Sequence, residues 1–92
     1  METDDFEWDD DKAAKVLAAR NVSFWDAAQV FDDPGFIQLP DRVNPQTRTK
    51  VIGSVSDRLL TVIVTDGREG RTAIITAWPS TREETDEYFA QA

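Results

Sequence analysis

Ninety-two residues suffice for one small domain, expected to span residues 1–92, and exclude a two-domain enzyme. Hydrophobic residues at 40% and charged ones at 30% suit a folded chain, while Cys 0 and His 0 exclude disulfides, thiolate zinc sites, cysteine nucleophiles and any Ser-His relay. With 18 acidic residues against 10 basic ones the net charge is -8, so a bare phosphate backbone meets repulsion and direct nucleic-acid binding is not expected.

In chain order, residues 1–5 read as a flexible acidic lead-in, followed by a short extended piece around Phe6 to Trp8. Asp9 then caps a helix running to Arg20, with Ala13, Val16 and Leu17 on one face and Asn21 as a left-handed stop. Ser23 caps a second helix, with Asp26 at the capping-box position and Phe24, Ala27, Ala28 and Phe31 at helical spacing, and Asp33-Pro34-Gly35 ends it. Four strands follow, over Phe36 to Leu39, Arg48 to Val55, Leu59 to Thr65 and Thr72 to Trp78, rich in the β-branched residues of buried sheet. Short links at Ser56-Asp57-Arg58 and Asp66 to Gly70 predict antiparallel hairpins. Ser80 as cap and Glu83 as its box partner open a last helix, with Thr85, Tyr88 and Phe89 pointing inward. The expected fold class is therefore α+β: two N-terminal helices, a three- to four-stranded antiparallel sheet, and one C-terminal helix.

Charge is unevenly placed. Glu2, Asp4, Asp5, Glu7, Asp9, Asp10 and Asp11 put seven negative charges into the first eleven residues, and Glu83, Glu84, Asp86 and Glu87 against Arg82 make the C-terminal segment acidic as well. If the two segments meet in space, they imitate a phosphate ladder. Asp9-Asp10-Asp11 and Asp32-Asp33 offer oxygen ligands, but consecutive helical residues diverge and the spacing is not that of a calcium loop, so no metal site is assigned. No cofactor is expected, because so small a chain cannot spare apolar side chains from its core for a deep pocket. No stretch approaches the ~20 apolar residues of a membrane span and the opening lacks a basic start, so the chain reads as cytoplasmic with no membrane partner.

Phe6-Glu7-Trp8-Asp9, Lys12, Val22-Ser23-Phe24, Ala27-Ala28, Val30-Phe31-Asp32-Asp33-Pro34, Asp41, Arg48, Ile52-Gly53, Arg58-Leu59-Leu60, Ile74-Ile75 and the Thr81 to Tyr88 helix together resemble the BrnT family. These are ribonuclease toxins of bacterial type II toxin–antitoxin modules with a RelE-like fold, and the resemblance implies a curved antiparallel sheet packed by helices. Family members usually carry Lys-His-Gly where this chain has Ala19-Arg20-Asn21, and an arginine on each side of the Ile-Ile pair, where this chain has Ala73 and Trp78. Lost positive charge is the common theme.

RNA cleavage through the 2′-hydroxyl needs a base, an acid and cations around the phosphorus. For that activity the candidates are Arg48, Lys50 and Arg58 as phosphate binders, with Lys50 on the same strand face as Arg48, and Glu84 or Tyr88 as proton shuttle. Given the lost cations, the preferred expectation is a non-catalytic acidic binder on a BrnT-like scaffold. It would inhibit a basic nucleic-acid-handling protein by charge mimicry, as anti-CRISPR proteins of phages do by analogy, through Asp9, Asp10, Asp11, Glu83, Glu84, Asp86 and Glu87, with Trp78 as anchor. The alternative is an active BrnT-like ribonuclease neutralised by a ribbon-helix-helix antitoxin.

Overall fold

Side-chain caps decide where each helix begins. The computed structural model describes residues 1–91. Asp9 sits in extended backbone and accepts from the N–H groups of Asp11 (2.9 Å) and Lys12 (3.4 Å), starting helix α1 over Asp10–Arg20, and Asn21 at φ 55° ends it in the expected left-handed conformation. Ser23 accepts from Asp26 N–H at 3.0 Å and opens α2, Phe24–Ala28, which tightens into a 3₁₀ turn over Gln29–Asp32.

Five strands build the sheet: β1 (Phe6–Glu7), β2 (Ile37–Pro40), β3 (Thr49–Val55), β4 (Arg58–Asp66) and β5 (Thr72–Pro79), in spatial order β1-β5-β4-β3-β2. The α+β class is as expected, but the sheet has a fifth strand and is mixed, because the Phe6-Glu7 piece pairs parallel with Thr72 and Ala73. Ser56 and Asp57, at φ 48° and 69°, form a two-residue left-handed turn between β3 and β4, so Arg58 is paired with Val55 and belongs to the strand rather than the link. Residues 1–5, expected to be loose, fold back on β1. Thr3 N–H reaches Phe6 O at 2.7 Å, and Arg71 binds both Thr3 O (2.8 Å) and Glu2 (2.9 Å), which ties the acidic lead-in to a cation distant in sequence.

Alternation along the strands separates two layers. Val51, Val55, Leu60, Val62 and Ala77 face α1 and α2 and join Val16, Val22, Phe24, Val30 and Trp8 in one buried cluster. The opposite face carries Lys50, Ile52, Thr61, Ile63 and Trp78, and there lies the last helix, α3 (Arg82–Ala90). Gly53 is required by the first layer: a Cβ there would stand 2.8 Å from Val30 O and 2.9 Å from Val30 Cβ.

Gly53→Ala is therefore expected to destabilise the fold by about 1–3 kcal/mol, the usual range for overpacking, read as a lowered urea midpoint with unchanged slope. An unchanged midpoint would mean that the 3₁₀ turn is free to move away.

Candidate functional site

Helix α3 starts one residue later than the sequence suggests. Ser80 N–H still belongs to the sheet ladder, bonded to Leu59 O at 3.0 Å, and its hydroxyl meets Thr61 Oγ1 at 2.8 Å, so it is not free to cap. Thr81 caps instead: its hydroxyl accepts from Glu84 N–H at 3.2 Å, and Glu84 Oε1 accepts from Thr81 N–H at 2.8 Å. The box partner is thus Glu84, not Glu83. Phe89, expected to point inward, is 61% exposed, and Glu84 is the buried residue of α3.

Glu84 is the hub of this face. The same Oε1 accepts from the Trp78 indole N–H at 2.9 Å and from the Thr61 hydroxyl at 3.0 Å. Because Thr61 gives its one proton to Glu84, the Ser80 hydroxyl donates to Thr61. Burial works against the charged form of Glu84, but the Thr81 N–H, the Trp78 N–H and the Thr61 and Thr81 hydroxyls outweigh it and hold the carboxyl below its ordinary value. Its second oxygen lies 3.8 Å from Lys50 Nζ, which is also 3.6 Å from Glu87. Arg42, on the loop after β2, faces Glu83 at 3.8 Å.

A second tie crosses from α3 to the β2 side. Tyr88 donates to Asp33 Oδ2 at 2.6 Å, and Asp33 also accepts from the N–H groups of Gly35 and Ser54, both at 2.9 Å. Ser54 lies beyond the stretch of β3 that β2 covers, so Asp33 satisfies an edge N–H. The Tyr88 hydroxyl, with those two N–H groups, lowers the Asp33 carboxyl, and the bond to Asp33 raises the Tyr88 phenol.

The five candidate ribonuclease residues do not form one group. Arg48 precedes β3 and lines a cleft of about 270 Å³ with Phe31, Gln38 and Thr65, whereas Lys50 lines a separate cleft with Trp78 and Glu84. Arg48 and Lys50 thus border different clefts. Arg58 sits at the far hairpin, donating to Asn21 O at 3.1 Å; it is five residues along β4 from Ile63, the partner of Lys50, or about 16 Å. Glu84 and Tyr88 are locked in hydrogen bonds, and a proton shuttle needs a pKa near the working pH and a free lone pair or proton. The Glu84 carboxyl is lowered and the Tyr88 phenol raised, so both shifts lead away from neutral pH.

The expected partner-binding residues divide as well. Asp9, Asp10 and Asp11 open α1 on one side of the sheet; Glu83, Glu84, Asp86 and Glu87 lie on α3 on the other. Trp78 is not an open anchor, since Glu84 holds its N–H and the Arg20 guanidinium lies over its ring, 5.7 Å from the centroid. Among the described residues no group of three or more acidic side chains is arranged to hold a metal ion, and no helix is long and apolar enough to cross a membrane.

Sequence reasoning missed Thr61, Asp33 and Arg20. Thr61 had a signal, as the one hydroxyl within the apolar run Leu59 to Val64. Arg20 had another: it and Trp78 are the two departures from the family pattern that the fold brings into contact.

Residues 8–84 match the family model described as the ribonuclease toxin BrnT of a type II toxin–antitoxin system. The chain belongs to the BrnT toxin family. Among solved structures, the 1.1 Å crystal structure of the Brucella abortus ribonuclease toxin BrnT is similar, with a TM-score of 0.68 at 17% identity, covering 87% of this chain and 100% of that one. At that identity the likeness speaks for the BrnT fold. No curated protein matches by sequence.

Stability should follow the three shifted groups. Asp33 and Glu84 titrate lower when folded, so their contribution is complete above the ordinary carboxylate range and is lost as pH falls through the lowered values. Tyr88 titrates above its ordinary 10.0, so its share is complete below pH 10 and disappears above it. Melting temperature is expected to be flat between about pH 5 and pH 9 and to fall on both sides. Glu84→Ala should cost about 3 kcal/mol by orphaning the Trp78 and Thr61 donors, and should flatten the acid limb. An acid limb unchanged in Glu84→Ala would refute the hub.

Proposed function

We propose that the chain acts as a BrnT-type ribonuclease toxin of the cytoplasm, paired with and silenced by an antitoxin, and that its RNA-facing groups are Arg20, Trp78 and Lys50. One observation carries this reading: Arg20 and Trp78, which stand where resembling sequences have histidine and arginine, meet at 5.7 Å beside Glu84 and Lys50. A cation therefore survives at that position of the fold, moved from the strand to the end of α1. In cleavage by the 2′-hydroxyl, Arg20 and Lys50 stabilise charge on the phosphate, and the Trp78 ring holds the Arg20 guanidinium in place. With no histidine in the chain, the general acid–base share of about 10²–10⁴ is missing and turnover is slow.

A second reading is favoured by the Lys50 ion pairs. With Lys50 engaged by Glu84 and Glu87, and a net charge of -8, the chain binds a basic partner and cuts nothing. Such a partner, a nucleic-acid-handling protein inhibited as in the anti-CRISPR analogy, would meet either the Asp9 to Asp11 end or the Glu83 to Glu87 end.

Induced expression with growth curves and total-RNA analysis separates the two. The ribonuclease reading expects growth arrest with RNA cleavage, both reduced at least tenfold by Arg20→Ala and by Lys50→Ala and abolished by an antitoxin expressed beside it. Intact RNA and normal growth at high expression of the folded chain would remove the ribonuclease reading and leave the binder.

A further inference from the structure

Arg48, Lys50, Arg58 and Arg71 are the half-buried cations of the chain. Three of them are engaged: Lys50 with Glu84 and Glu87, Arg58 with Asn21 O, and Arg71 with Thr3 O, Glu2 and Glu69. Among the described residues nothing accepts from the Arg48 guanidinium, which carries five N–H donors in a rigid fork. Drawing a charge partly out of water without a partner costs free energy that a bound anion would offset.

The backbone holds that fork in place. Arg48 N–H donates to Asn44 O at 2.9 Å, the Arg48 carbonyl accepts from Asp41 N–H at 3.2 Å, and the Thr65 hydroxyl ties Thr47 O to β4 at 2.6 Å. A cation fixed before its ligand arrives loses less freedom on binding. In the cleft of about 270 Å³ that Arg48 borders, Gln38, Gln46, Thr49 and Thr72 add amides and hydroxyls that make no hydrogen bond to other described residues, and half-buried Phe31 forms an apolar wall. Asp66, at the end of β4, is the one acidic lining residue and makes no ion pair with Arg48.

We propose that this cleft binds a phosphate group, its oxygens paired with the Arg48 fork and hydrogen-bonded by the threonine hydroxyls and glutamine amides. Arginine suits phosphate because two parallel N–H groups meet two oxygens. The volume is below that of drug-sized pockets, so the occupant is a phosphate ester of nucleotide size or smaller. Two carriers share that chemistry, a free nucleotide and one phosphodiester of an RNA strand. The net charge of -8 repels either, but it is screened beyond ~8–10 Å at ordinary salt, so contacts inside the cleft set the affinity. Arg20, Lys50 and Trp78 do not line this cleft, and the proposal stands whether or not the chain cleaves RNA.

NMR titrations of the full chain with uridine, uridine monophosphate and a 2′-O-methyl uridine trinucleotide, which cannot be cut, test it. Uridine monophosphate should bind saturably and shift the amides of Gln46 to Thr49 and Thr72 together with the Arg48 Nε–H, and uridine should not. Arg48→Ala should weaken binding tenfold or more with the melting temperature within a few degrees, since its guanidinium holds nothing in the fold, while Arg82→Ala on the exposed side of α3 should leave binding unchanged. Asp66→Asn should tighten it several-fold by removing a like charge. The Arg48 cleft shares Pro45 with a neighbouring cleft lined by Lys50, so a trinucleotide that binds more tightly than the monophosphate, with shifts reaching Lys50, assigns the phosphate to an RNA strand. A trinucleotide that binds no more tightly assigns it to a free nucleotide. Equal shifts with uridine, no saturable binding of either phosphate, or unchanged affinity in Arg48→Ala would overturn the proposal.

Discussion

One carboxylate oxygen joins three elements of this molecule. Glu84 Oε1 receives a hydrogen bond from α3 itself, one from β4 and one from β5, while the other oxygen faces Lys50 of β3. A helix normally docks by burying an apolar stripe. Here the buried residue of α3 is a charged one, and the phenylalanine of the same helix lies outside. The helix is therefore held by a network whose members all depend on that anion, so a fault at one member is felt by the rest. The Tyr88–Asp33 bond adds a second hold at the other end.

This arrangement explains how an acidic BrnT chain differs from what its charge pattern suggests. Mimicry of a duplex needs negative charges in a row on one face, about one per 1.7 Å of axis. The sheet keeps the two acidic segments apart, and each has local duties: Asp9 caps α1, while Glu83, Glu84 and Glu87 face Arg42 and Lys50. The Glu84 carboxylate that holds α3 also faces Lys50, as does Glu87. The ring of Trp78 is covered by Arg20.

The helix starts, the left-handed stop at Asn21 and the alternation of β3 to β5 were legible, because local capping and period-2 patterning decide them. The one-residue error at α3 arose from a tertiary competitor: Ser80 and Thr81 are equally good caps in sequence, and only the pairing of β5 with Leu59 of β4 shows that Ser80 is taken. β1 was too short to announce a parallel partner 66 residues away at Thr72. Arg48, Lys50 and Arg58 suggested a groove because their charges are alike; the distance of Arg58 from Lys50 follows from hairpin length, which spacing alone does not reveal. The Arg20–Trp78 contact was half legible, each partner visible as a departure from the family pattern and their meeting visible in the fold alone.

Carbon-detected NMR titration of the glutamate side chains, assigned to Glu84, reads the anion on which this structure turns. The carboxyl should titrate below its ordinary 4.5, with the Trp78 indole proton shifting in step. Titration at or above that value, or an indole proton indifferent to it, would contradict a fold clasped by a buried charge.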